Sequence, residues 1–84
     1  MSFSPTSITM NDASDALRAG QAAIAQGITV IDLSGLSSFD SSAVSAILAW
    51  QRDAARRGIP LQVQGVPAGL HSLAGLYGVE HLLT

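Results

Sequence analysis

The run Ile28-Thr29-Val30-Ile31-Asp32-Leu33 constrains the fold most, because apolar and β-branched side chains follow one another without the alternation of a half-wet strand. Such a run belongs inside a sheet covered on both faces. It therefore requires helices around it, and the flanking sequence supplies them. Upstream, Ser7-Ile8-Thr9-Met10 alternates as a short strand, and Asn11 or Asp12 offers an oxygen to cap a helix. Ala13, Leu17, Gly20 and Ile24 then recur at helical spacing, with Asp15, Arg18 and Gln21 on the wet side. Gly27 fits the position after a helix where φ is positive. Downstream, Ser34 to Asp40 reads as a loop of small residues, after which Asp40 or Ser41 caps a second helix running to about Arg57. Gly58 and Pro60 stop it, Leu61-Gln62-Val63-Gln64 alternates as a strand, and Gly65 turns the chain. Pro67 suits the first turn of a last helix, whose Leu70, Leu73, Ala74 and Tyr77 line one face before Gly78. The order β-α-β-α-β-α with short links predicts one small α/β domain over residues 1–84. Its sheet is expected to be mixed but mostly parallel, with helices packed on it.

The middle helix carries more apolar surface than a single contact with a sheet requires. Val44, Ile47 and Leu48 can face the sheet, while Ala46 and Ala49, with Ser42 and Ser45, make a smooth second face beside the Asp40-Ser41-Ser42 tip. The helix's charges, Arg52, Asp53, Arg56 and Arg57, all come later. Alanine is also simply a good helix former, and serine and aspartate before a helix are ordinary caps, so two readings of this stretch stand side by side. In the functional one the smooth face is a docking surface. A phosphate on Ser41 or Ser42, about −1.5 to −2 charges, would then oppose binding to an apolar partner. Trp50 is expected in the core.

Composition narrows the function. Apolar residues make up 48% of the chain and charged residues 12%, against roughly 25% charged in an ordinary soluble domain. A chain this poor in charge is expected to have part of its surface covered by another protein. The net charge is −2 and the basic residues are four arginines, which provides no broad positive surface for nucleic acid. There is no cysteine, hence no disulfide or thiolate chemistry. The acids Asp12, Asp15, Asp32, Asp40, Asp53 and Glu80 are scattered, and no spacing predicts a metal site. His71 and His81 lie on other segments than Asp40 and Ser41, no Gly-x-Ser-x-Gly elbow is present, and no glycine-rich nucleotide fingerprint occurs. Neither catalysis nor a cofactor is expected. The Met-Ser-Phe-Ser-Pro start has no basic and apolar leader, so a cytoplasmic chain is expected. The most apolar stretch, Ala43 to Trp50, is far short of the ~20 residues that cross a bilayer, so no direct membrane insertion is expected.

Val30-Ile31-Asp32-Leu33-Ser34 followed by Phe39-Asp40-Ser41-Ser42-Ala43 resembles the core signature of STAS domains, the family named for sulphate transporters and anti-sigma-factor antagonists. The later Gln64-Gly65-Val66 and Leu73-Ala74-Gly75-Leu76-Tyr77-Gly78-Val79 are similar to the MlaB-like branch. This resemblance implies a non-catalytic cytoplasmic subunit, peripheral to the inner membrane, that binds an MlaF-like ABC-transporter ATPase and through it a membrane permease. It implies a part in phospholipid transport and outer-membrane lipid asymmetry. The partner-binding residues expected are Asp40, Ser41, Ser42, Ser45, Ala46 and Ala49; the resemblance itself carries over Asp40, as the motif aspartate, and Ser41, in the place of the Thr or Ser that follows it, while Ser45, Ala46 and Ala49 come from the smooth face of the helix. The alternative it implies is an anti-sigma-factor antagonist, switched by phosphorylation at Ser41 or Ser42. Ala43 departs from the glycine usual in antagonists, and the N-terminal strand is shorter than in most STAS domains. A shortened edge leaves another edge open for a partner or a second copy.

Overall fold

Residues 3–8 join the two strand pairs. The computed structural model describes residues 2–78; Val79, Glu80 and His81 lie outside the described residues. Phe3 makes an isolated parallel bridge to Ile31, its N–H donating to Val30 O (3.0 Å) and its carbonyl accepting from Asp32 N (2.9 Å). Farther along, β1 (Ser7–Ile8) pairs in parallel with β3 (Ser38–Phe39), Ser7 opposite Ser38 and Ile8 opposite Phe39. Ser37 N donates to Thr6 O at 2.9 Å and Asp40 N to Ile8 O at 3.3 Å. Peptide groups of successive residues in an extended chain point to opposite sides, so Phe3 faces one neighbour while Thr6 and Ile8 face the other. The segment thus runs between β2 (Val30–Asp32) and β3. Pro5 falls on the β2 side without an N–H to offer, and the ladder to β2 stops at Phe3. On its other edge β2 pairs in parallel with β4 (Gln62–Gln64), in the register Val30–Gln62, Ile31–Val63, Asp32–Gln64. Every strand pairing among the described residues is parallel. The N-terminal strand β1 is two residues long, short as expected from the sequence.

Three helices, α1 (Ala13–Ala25), α2 (Ser41–Arg56) and α3 (Ala68–Leu76), connect and cover these strands, with α2 packed against both others. Ile31 and Leu33 are fully buried together with Ile8, Ile24, Ile47 and Leu70. Val30 and Asp32, on the opposite face of β2, are only half-buried, so the central strand is fully covered on one face and not on both. Trp50 sits at the centre of the core with no exposed surface. Its indole N–H donates to the Leu17 carbonyl of α1 (3.0 Å), which satisfies the one polar atom the ring buries. The ring also meets Phe3 edge-on, with centroids 5.5 Å apart and planes at 84°. Opposite it is Gly20, where a Cβ would fall 2.2 Å from the indole nitrogen. Glycine in a helix costs about 1 kcal/mol relative to alanine; here it lets α1 lie directly on the tryptophan.

Helix ends follow the local signals closely. Gly27 and Gly58 adopt φ of 97° and 70° after α1 and α2, and Asp40 caps α2 through Ser42 N. Four readings are corrected. Ser38–Phe39, expected inside a loop, forms β3; two residues are too few to show a strand period. Asp12 occupies the N-cap position of α1, but its carboxylate accepts from Ser7 Oγ and Thr9 N (both 2.6 Å) and caps nothing. Pro67 is the N-cap of α3, with ψ 145°, and not a residue of its first turn. Tyr77 does not continue the inner face of Leu70, Leu73 and Ala74: it follows the last turn of α3 and is 61% exposed. Gly65 (φ 69°) closes β4 so near β2 that a Cβ would lie 2.8 Å from Ser34 N.

Candidate docking face at the start of the second helix

Asp40 organises this region. Its backbone is extended (φ −140°, ψ −164°), which aims the carboxylate across the helix start. One oxygen accepts from Ser42 N (2.8 Å) and the other from Met10 N (2.9 Å). The loop after β1 is thereby fastened to the first turn of α2. The Met10 and Ser42 N–H groups, in that order, hold the Asp40 carboxyl below its ordinary value of 3.8. Asp12 beside it is lowered too, by the Ser7 hydroxyl first and then by Thr9 N. Both oxygens of Asp40 accept from the chain's own amides.

Ser41, Ser42, Ser45, Ala46 and Ala49 all fall on α2 before its first charged residue, Arg52, and the structure brings these expected residues together after Asp40. Their exposure divides them. Ser41 and Ser45 are exposed, Ser42 and Ala49 half-buried, and Ala46 only 4% exposed. The expectation of a smooth outward face including Ala46 is corrected accordingly: Ala46 is the floor of a groove of about 370 Å³ between α1, at Ser14 and Leu17, and α2, at Ser42, Ser45 and Ala49. A second groove of about 300 Å³ lies on the other flank, among Ser41, Ser45, Leu48 and Tyr77. Ser42 and Ser45 border both grooves and form the ridge between them.

Two residues of this face were not expected in it from the sequence. Tyr77 closes the second groove, and Met10, 78% exposed, is held at the helix tip by its N–H bond to Asp40. With Leu76 they are the exposed large apolar side chains among the described residues. The available signal was positional: Met10 directly precedes Asn11-Asp12 and Tyr77 directly precedes Gly78, places where a chain reversing in water ordinarily carries polar residues.

His71 lies on α3, and His81 outside the described residues. Among the described residues no group of three or more His, Asp or Glu side chains is placed to hold a metal ion, and no helix is long and apolar enough to cross a membrane. A family model described as "Mlab, STAS domain" matches residues 6–84. The chain belongs to the MlaB STAS-domain family. No curated protein matches it. STAS domains generally bind other molecules without catalysis.

The aspartates of this STAS domain set its response to acid. Asp12, Asp32, Asp40 and Asp53 all have carboxyls lowered from 3.8; the first causes are the Ser7 hydroxyl, the Ser34 N–H, the Met10 N–H and the Arg56 guanidinium respectively. A carboxyl lowered in the native state contributes stability that is complete above its unfolded value and is lost as pH falls through the native one. The melting temperature is therefore expected to stay level from neutrality to about pH 5 and to drop below about pH 4. In a thermal-unfolding series across pH, Asp40→Asn should melt lower than the wild type at neutral pH and show a shallower acid limb.

Proposed function

We propose that this MlaB-type STAS domain is a non-catalytic accessory subunit that docks on the ATPase of a phospholipid ABC transporter, at the cytoplasmic side of the inner membrane. The observation that supports this most is the α2 tip. It is a ridge of Ser42 and Ser45 between two grooves, with Ser41 on the second of them, flanked by exposed Met10 and Tyr77, on a chain that otherwise lacks the charge to keep such a surface in water. Through the ATPase the domain would reach the permease without entering the bilayer itself, and would support phospholipid traffic that maintains outer-membrane asymmetry.

The test is reconstitution with the purified ATPase of the organism's own transporter. Wild type is expected to form a complex, and Ser41→Asp to bind about tenfold more weakly with an unchanged melting temperature. A carboxylate there keeps the fold, because negative charge is favourable at a helix N-terminus, but it must be desolvated on docking. Equal affinity of the two chains would move the interface away from the tip.

The exposure of Ser41 favours a second reading, an anti-sigma-factor antagonist whose serine is phosphorylated by its partner. That reading expects binding to a kinase-like anti-sigma factor, ATP-dependent modification of Ser41, and release on modification. An intact-mass measurement after incubation with that factor and ATP decides it.

A further inference from the structure

The four arginines differ in what they hold. Arg18 pairs with Asp15 at 2.6 Å, and Arg56 and Arg57 share the Asp53 carboxylate at 2.8 and 3.0 Å. Arg52 has no carboxylate partner among the described residues, and it is exposed. Its position gives this meaning. Ser41, Ser45, Leu48 and Arg52 descend one side of α2 at intervals of three or four residues, so they share a face. Arg52 also lines the end of the groove formed by Ser42, Ser45 and Ala49, and borders a further hollow with Leu48 and Ala55. The docking face is thus uncharged along its first half and ends on a guanidinium that has no carboxylate partner among the described residues.

We infer that the partner presents an aspartate or glutamate to Arg52, and that this pair sets the register of the docked segment along α2. The inference rests on the docking reading above and specifies its chemistry. A guanidinium takes a carboxylate through two parallel hydrogen bonds, which fixes direction as well as distance. Arg52 follows Ser45 by seven positions, about 10 Å along a helix. The complementary surface therefore carries small or apolar side chains for the grooves and one carboxylate roughly two helical turns farther on. A membrane surface is the poorer fit, because anionic lipids are held by clusters of about four to eight uncommitted basic residues. Here Arg56 and Arg57 are already turned to Asp53.

The test titrates the purified ATPase against wild type, Arg52→Glu and Arg52→Lys at low and high salt. Each chain's fold is checked by circular dichroism, which an exposed helix position should leave unchanged. Arg52→Glu is expected to bind at least about tenfold more weakly, Arg52→Lys to fall between, and the gap to narrow at high salt. Reversing one acidic residue of the ATPase to arginine should restore binding to Arg52→Glu and weaken binding to wild type. If wild type binds and Arg52→Glu stays within twofold of it, the carboxylate contact is overturned while the subunit reading stands. If wild type itself does not bind, the subunit reading falls first and takes the contact with it. Binding of the chain alone to phosphatidylglycerol vesicles, lost in Arg52→Glu, would overturn the inference by assigning the arginine to lipid.

Discussion

Gly20→Ala is expected to cost this domain about 3 kcal/mol or more, at the upper end of what overpacking a core does. In thermal unfolding followed by circular dichroism, the midpoint should fall by roughly 12–24 °C for a domain of this size. Taken by itself the substitution should help, since alanine is the better helix former by about 1 kcal/mol. The sign is reversed by distance. A new Cβ would lie 2.2 Å from Trp50 Nε1 and 2.4 Å from Cε2, so the helix or the ring must move. Neither has room: Trp50 is fully buried, bonded to the Leu17 carbonyl on one side and against Phe3 on the other. Because Phe3 also supplies the bridge to β2, displacing the indole disturbs the sheet as well as the helix pair. A double-mutant cycle isolates the cause. Trp50→Leu should be destabilising alone by about 2–5 kcal/mol through the cavity it leaves. In that background Gly20→Ala should cost little or even stabilise, a strong non-additivity between two touching residues. Equal penalties in both backgrounds would mean that the glycine serves the backbone and not the contact.

Gly20 also shows where a sequence reading ends. Its helical spacing with Leu17 and Ile24 placed it on the inner face of α1, but only the packing reveals that Trp50 occupies the space a side chain would take. The same division runs through the molecule. Features carried by a residue and its immediate neighbours were legible: the apolar run at Val30–Asp32, the positive φ at Gly27 and Gly58, and the Asp40 cap with the span of α2. Features that depend on a distant segment were not. Ser38–Phe39 becomes a strand because residues 6–8 lie beside it, and the Asp12 carboxylate turns away from α1 to accept from Ser7 Oγ and Thr9 N behind it. At the docking face, helical periodicity grouped Ser42, Ser45, Ala46 and Ala49 correctly on one side of α2. It could not say which of them α1 covers, because that is set by where the two helices cross. Met10 and Tyr77 joined the face for the same reason, one brought by a hydrogen bond to Asp40 and the other by the end of α3.

The division between ridge and floor makes two adjacent positions respond in opposite ways to the same change. Ser45→Arg is expected to leave the melting temperature within a few degrees of wild type, since the side chain starts from an exposed helix position and runs out into water. It should nevertheless weaken binding to the ATPase by about a hundredfold, because the ridge bordering both grooves would carry a long charged chain where a partner must come into contact. Ala46→Arg should do the reverse. Ala46 is 4% exposed at the floor of the groove between α1 and α2, so a long side chain must rise through that groove against Ser14 and Leu17 and push at α1, and a guanidinium left unpaired between the two helices costs several kcal/mol. The chain should be largely unfolded by circular dichroism, and any loss of binding would report that unfolding. The pair thus separates an interface residue from a structural one by comparing a melt with a titration. If Ser45→Arg keeps its fold and binds the ATPase as tightly as wild type, the ridge is not where the partner sits, and the exposed Met10 and Tyr77 would need another occupant.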